Sequence, residues 1–350
     1  MRHILRTAGA VVTAGAMVLG AHSAAAKDKM TIVMSSWGVL YWATLTAEQL
    51  GYFSDEGIET EMIRTGGGVK SLAAVIGGDA QVNVGAPASA FRAHAKGSDA
   101  IVIAPAISQY ADNLVMTTAW AQKNNLTNAS SYQDKLKALK GMTVGVASMG
   151  GGASQLVELI AKEAGLNVQR DLTMTAMNSG ENMIAALGQN RIDGFVFPSP
   201  VSDDAIKNHG AKMMFHTAAG EIKRLDGFVY IGLVVRKSWV QANPDLTVRF
   251  LKAEQRALDA IHNPELTNKA RDLIHAKYSD KTDKALFDDM WKTAIPSFPK
   301  TVEVNRNMME RIVDFVNEFQ TGEPLDKAVL NTGWTNEYSE KALAALAKKN

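Results

Sequence analysis

The residues best placed to do chemistry lie between Thr143 and Gly165. A strand-like run, 143–147, enters the turn Ser148-Met149-Gly150-Gly151-Gly152, which opens directly into a helical pattern. Ala153, Leu156, Val157, Ile160, Ala161 and Ala164 give that pattern one apolar face, and Gly165 ends it. A glycine-rich turn at a helix start leaves backbone N–H groups pointing outward at the positive end of the helix dipole. That is a seat for an anionic or strongly polar group. A tight connection that binds nothing fits the same residues equally well. Ser148 also sits in an approximate nucleophile elbow, Val146-Ala147-Ser148-Met149-Gly150, but Val146 stands where the strained turn needs glycine.

Six loops at the ends of strand-like runs carry the other candidates. In 35–41, Ser36, Trp37 and Tyr41 offer a hydroxyl and two rings four residues apart; both rings can face one cleft if a helix begins near Leu40. Packing between lobe and helix is the plainer role for either ring, and Trp42 belongs to a core stripe with Leu45 and Gln49. In 65–69, Gly67 lies inside a triple glycine before a helix. Pro87, Ala88 and Ser89 begin another helix, where Ser89 either caps the helix or offers its hydroxyl to a ligand. Asn178 and Glu181 lie in 177–181, Pro198 and Ser199 in 198–201. Glu181 fits the first turn of a helix, where an acid is favoured anyway; pointed into a cleft it selects an amine or a ring N–H. The basic residues near these loops are Arg64 and Lys70. A negative group would rest on helix N-termini, hydroxyls and Asn178, which favours a singly charged sulfonate or carboxylate over phosphate.

The elements that position these loops alternate. Strand-like runs fall at 30–34, 58–63, 81–84, 101–104, 114–117, 143–147, 172–176, 192–197 and 213–215, with helical patterns between most of them. Such alternation predicts open α/β sheets, whose ligands sit outside the carboxyl ends of the strands. After one more strand, 228–235, the chain reads as helical through Lys348. An internal echo relates Ala73-Ala74-Val75, Gln81, Val84, Pro87 and Ser89 to Ala185-Ala186-Leu187, Asp193, Val196, Pro200 and Ser202. Two similar βαβαβ lobes follow, with three of the six loops on each and a cleft between them.

Residues 1–26 read as a secretory signal peptide: Arg2 and Arg6, a small apolar stretch over 8–21, then Ala24-Ala25-Ala26 before Lys27. The stretch is too short for a spanning helix. Its removal takes two arginines and no acid, turning the formal charge from +1 to −1. So even a balance gives no reason to expect nucleic acid or a membrane surface. With no cysteine, stability must come from a core, and no His/Cys/Asp spacing suggests a metal. No Gly-Lys-Ser/Thr follows the glycine turns, and no cofactor is expected.

The sequence resembles the solute-binding proteins of ABC importers, in the branch for sulfonates, taurine, nitrate and thiamine-precursor pyrimidines. The resemblance rests on Ser35-Ser36-Trp37-Gly38, Gly51-Tyr52-Phe53, Glu56-Gly57-Ile58, Gly85-Ala86-Pro87-Ala88-Ser89 and the segment 193–200. It implies a type II periplasmic-binding-protein fold: two α/β lobes, a hinge, and closure over one small molecule delivered to an inner-membrane permease. It also implies that the C-terminal helices return to the first lobe, giving lobes of 27–112 plus 226–350 and 113–225, with 302–319 packed on the first. The expected protein is a periplasmic monomer, not an enzyme, that captures a small organic anion. A neutral or zwitterionic ligand such as a pyrimidine is the alternative, and a secreted serine hydrolase using Ser148 a more distant one.

Overall fold

The structure, a computed structural model, describes residues 27–127, 129–319 and 323–348; the signal-peptide segment lies outside them. Ten strands form two five-stranded sheets. The first contains β1 (Asp28–Met34), β2 (Ile58–Arg64), β3 (Val82–Gly85), β4 (Ala100–Ile107) and β10 (Ile231–Arg236), in the order β2-β1-β3-β10-β4. The second contains β5 (Asp112–Met116), β6 (Thr143–Val146), β7 (Thr173–Ala176), β8 (Gly194–Pro198) and β9 (Lys212–Phe215), in the order β7-β6-β8-β5-β9. Each strand overlaps a run that the hydrophobic pattern predicts, with ends shifted by up to three residues.

The two sheets repeat one plan. In each, three parallel strands are joined by crossovers, and one antiparallel strand that has come across from the other lobe fits between the third strand and the edge. β10 plays that part in the first sheet and β5 in the second. Both strands are buried along nearly their whole length, which suits the continuous apolar runs Ile231-Gly232-Leu233-Val234-Val235 and Leu114-Val115-Met116. Pro105 is accommodated within β4 because the β4–β10 ladder shifts register there. The echoing segments occupy matching places: the helix Gly68–Gly77 before β3, and the helix Gly180–Gly188 before β8.

Behind the first sheet the C-terminal helices complete the core. Trp42 is fully buried and stacks on Trp291 at 4.9 Å and against Phe287 at 5.0 Å. Leu45 is buried with it, whereas Gln49 reaches the edge and donates to the Tyr278 hydroxyl at 3.2 Å. In the segment 302–319, Val302, Met309, Ile312, Val313 and Val316 are buried as expected. The helix Arg306–Phe319 differs in one respect: it packs on the helix Pro87–Ala95 of the first sheet and also on Gly152–Glu163 of the second. Among the described residues no helix is long and apolar enough to cross a membrane.

Candidate functional site

The carboxyl ends of strands from both sheets face each other around a cavity of about 40 Å³. From the first sheet's side come Ser35, Tyr41, Gly68, Asn83, Ala86, Ser89 and Tyr230; from the second, Asp112, Ser148, Gly151, Gly152, Ala153, Phe197 and Pro198. The lobes stand closed. Val39 N–H donates to the Ser199 carbonyl at 3.1 Å, Ser89 Oγ to the Gly150 carbonyl at 3.0 Å, and Tyr110 OH to the Gly152 carbonyl at 2.6 Å. Gln155 Nε2 donates to both Ser89 Oγ and the Gly150 carbonyl at 3.2 Å.

The glycine turn is one wall of this cavity. Gly151 begins the helix Gly152–Glu163 with no side-chain cap, so its first backbone N–H groups rely on other partners. Two glycines permit the close approach of the lobes. A Cβ on Gly152 would collide with the Tyr230 hydroxyl, and one on Gly38 would sit 2.7 Å from the Ser199 carbonyl oxygen.

The rest of the lining, drawn from both sheets, is acidic and acceptor-rich. Asp112 is 3% exposed; Tyr230 OH donates to its Oδ2, while Oδ1 has no partner. Burial pushes its carboxyl up to about 7, against the opposing pull of the Tyr230 hydrogen bond. Tyr110 and Tyr230 stack with centroids 3.6 Å apart, and burial raises both phenols well above their ordinary value. Tyr41 OH lies 2.5 Å from Ser35 Oγ, and burial raises that phenol too. Asn83 Oδ1 and Ser148 Oγ are buried without partners. None of the residues lining the cavity is a lysine, arginine or histidine.

A second chamber of about 370 Å³ adjoins the first and shares Ser35 and Phe197 with it. Here Trp37 packs on Tyr278 at 5.1 Å, and Arg64 pairs with Glu181 across the mouth at 3.2 Å.

The structure thus distributes the sequence candidates. Tyr41, Ser89, Ser148, Gly151 and Pro198 line the inner cavity; Ser36, Trp37 and Glu181 line the outer chamber. Trp37 and Tyr41 are separated because Val39–Tyr41 forms a 3₁₀ turn instead of a helix from Leu40, which sends the second ring inward. Glu181 sits in the first turn of its helix, facing Arg64. The others line neither space. Gly67 packs beside Ser148, and Pro87 and Ala88 start a helix just after the lining Ala86. Met149 is exposed, and Gly150 contributes its carbonyl to Ser89. Asn178, at φ 65°, places its carbonyl beside Gly66; Ser199 donates to Asp203 at 2.5 Å and lines a cavity behind the cleft. Lys70 lines neither chamber, but Lys281, from the helical part of the chain, lines the outer one.

Sequence reasoning missed Asn83, Asp112 and Tyr230. A signal exists for the first two: Asn83 is a lone polar residue in an apolar buried strand, and Asp112 with Asn113 opens a strand whose other residues are apolar and buried. Burying an amide or carboxylate needs a reason. Among the described residues no cluster of three or more His, Cys, Asp or Glu could hold a metal.

Two mixed α/β sheets on this plan, closed over a cavity at their carboxyl ends, define a type II periplasmic-binding-protein fold. Known structures share it. A protein from Bordetella bronchiseptica RB50 superposes with a TM-score of 0.77 at 22% identity, over 92% of this chain and 98% of that one. The periplasmic nitrate-binding protein NrtA from Synechocystis PCC 6803 gives 0.71 at 13%, over 91% and 89%. The alkanesulfonate-binding protein SsuA from Xanthomonas axonopodis pv. citri, bound to MOPS, gives 0.69 at 12%, over 89% and 99%. No curated protein sequence matches the chain. The chain belongs to the NMT1-like family, whose model matches residues 23–275.

Proposed function

We propose that this protein is the periplasmic substrate-binding component of an ABC importer. In this reading it is exported by residues 1–26, acts as a monomer, and delivers one small organic molecule to an inner-membrane permease. The observation that carries the reading is the cavity itself: loops from both sheets enclose it, and hydrogen bonds between the lobes shut it. Bound molecules that touch both lobes shift an open–closed equilibrium toward closure, because those contacts exist together only in the closed state. The lobes that move are taken as 27–112 plus 226–350 and 113–225, a division whose first boundary falls just inside β5 of the second sheet, with the two chain crossings as hinge.

The uncapped start of the helix Gly152–Glu163 supports a ligand with an acceptor or singly negative group, a sulfonate or a carboxylate. Lack of a cation on the cavity wall argues against a dianion. Asp112 favours the other reading, a neutral or zwitterionic ligand, because its carboxylate opposes a pure anion in so small a space. Catalysis by Ser148 has little support: its Oγ has no hydrogen-bond partner, and no histidine lines the cavity to act as its base.

A thermal-shift screen of sulfonates, carboxylates, taurine-like zwitterions and aminopyrimidines tests the function. Saturation at ~100 times the dissociation constant adds about 2.7 kcal/mol. A shift accompanied by compaction in small-angle scattering supports capture by closure. Hydrolysis of a p-nitrophenyl ester that disappears in Ser148→Ala would overturn it.

A further inference from the structure

The inner cavity contains a mismatch that its walls do not resolve. Asp112 Oδ1 and Asn83 Oδ1 are both buried acceptors without a donor, on residues 3% and 2% exposed. They come from different sheets, β5 and β3, and meet in one space of about 40 Å³. The ionisable groups that feel the charge of Asp112 are Tyr41, Tyr110 and Tyr230; burial, first, and that charge keep all three phenols protonated, and Tyr230 is the one that bonds the carboxyl in return. Tyr230 already gives its one proton to Oδ2. A buried carboxylate that shares its cavity with an unpaired amide oxygen, with no cation on the walls, is costly unless a donor arrives from elsewhere.

Resting on the capture function above, we infer that Asp112 selects the captured molecule by a hydrogen-bearing nitrogen. An ammonium, an amidinium or an amino-substituted ring donates to Oδ1, and the acceptor end of the same molecule points at the start of the helix Gly152–Glu163. A sulfonate or carboxylate without such a nitrogen brings only acceptors. It leaves Asp112 and Asn83 unsatisfied and sets a second negative charge against the first. A molecule with both ends satisfies Asp112 and the helix start at once.

Burial pushes the Asp112 carboxyl up to about 7, so an ammonium displaces a proton from the protonated fraction on binding at neutral pH. Affinity for an ammonium compound therefore rises with pH through that range. For an anion lacking the nitrogen, affinity stays flat or falls.

The test uses matched compounds on the full chain by titration calorimetry: taurine against ethanesulfonate, glycine against acetate, and 4-amino-2-methylpyrimidine against 2-methylpyrimidine. The expected result is that the amino member of at least one pair binds at least about tenfold more tightly, the size of a lost charged hydrogen bond. Asp112→Asn removes that preference, and Tyr230→Phe keeps it. Equal or tighter binding by the amino-free member overturns the proposal, as does a preference that survives in Asp112→Asn. Should that variant fail to fold, the wild-type pH series between about 6 and 8 decides for taurine or glycine: rising affinity supports the proposal and a flat profile overturns it, while for the neutral amino ring the wild-type preference over 2-methylpyrimidine decides. If none of the six binds, compounds retained from a metabolite extract and identified by mass take their place. A retained molecule with an N–H donor supports the proposal. A retained molecule without one overturns it while leaving the capture function standing. An empty protein removes the capture function, and the proposal with it.

Discussion

The guanidinium of Arg64 and the carboxylate of Glu181 meet 3.2 Å apart across the mouth of the cleft, one from each sheet's side. Their side chains are 45% and 71% exposed, so water screens the pair and its net worth is about 0–1 kcal/mol. Glu181 is held below the usual carboxylate range first by its own backbone N–H, then by Ser179 and Arg64. Arg64→Ala should leave the thermal midpoint almost unchanged and speed release of a captured compound by a few-fold. Stopped-flow measurement of tryptophan fluorescence at low and high salt reads this release. A large loss of stability in the variant would contradict the exposed, screened character of the pair.

Gly38 bears on closure in a different way. Its backbone has φ −74°, open to alanine, yet a Cβ would stand 2.7 Å from the Ser199 carbonyl of the facing lobe. Gly38→Ala should therefore fold with nearly the wild-type midpoint but hold the lobes ajar. For compounds that stabilise the wild type, affinity should fall at least about tenfold, as expected when a competent state is depopulated. Scattering should show no compaction on their addition.

Glu254 predicts a pH dependence away from the cleft. It is 2% exposed on the helix Pro244–His262, and burial pushes its carboxyl up to about 8 from 4.5. The native state thus keeps a proton that the unfolded chain releases near the ordinary glutamate value. Unfolding free energy should fall as pH rises from about 4.5 through about 8, because the unfolded state binds fewer protons there. Glu254→Gln keeps the shape without the titration and should flatten that slope. Chemical denaturation at several pH values compares the two proteins; an unchanged slope would contradict the assignment.

Trp42 is the test of the core. Replacing it by alanine removes the contacts with Trp291 and Phe287 and should cost about 3–5 kcal/mol. Urea denaturation measures it.

The strands and the lobe plan were legible because their signal is local. Runs such as Ile101-Val102-Ile103-Ala104 are apolar at every position, and the Ala-Ala-Val and Ala-Ala-Leu echoes lie on equivalent helices. The site was legible only in part. Loops at strand ends were found by rule, which brought Tyr41, Ser89, Ser148, Gly151 and Pro198 to the cavity. Asp112 and Tyr230 were not, since what matters about them is that two chain crossings set them side by side. No spacing in a sequence states that residues 118 positions apart share a proton. Trp37 and Tyr41 show the finer limit: one 3₁₀ turn in place of an α-turn sends two neighbouring rings into different chambers.

The placing of β10 between β3 and β4 has a consequence for how the chain assembles. β3 ends at Gly85 and β4 at Ile107, yet the strand that must join them begins at Ile231. As the polypeptide is made from its N-terminus, the first sheet waits with a gap between β3 and its edge strand β4 until the whole second sheet has been produced. Nucleation of that lobe is therefore non-local and slow. The molecule cannot fold one lobe at a time from its N-terminus, and a chain truncated before Ile231 lacks the strand that joins the first sheet's two parts.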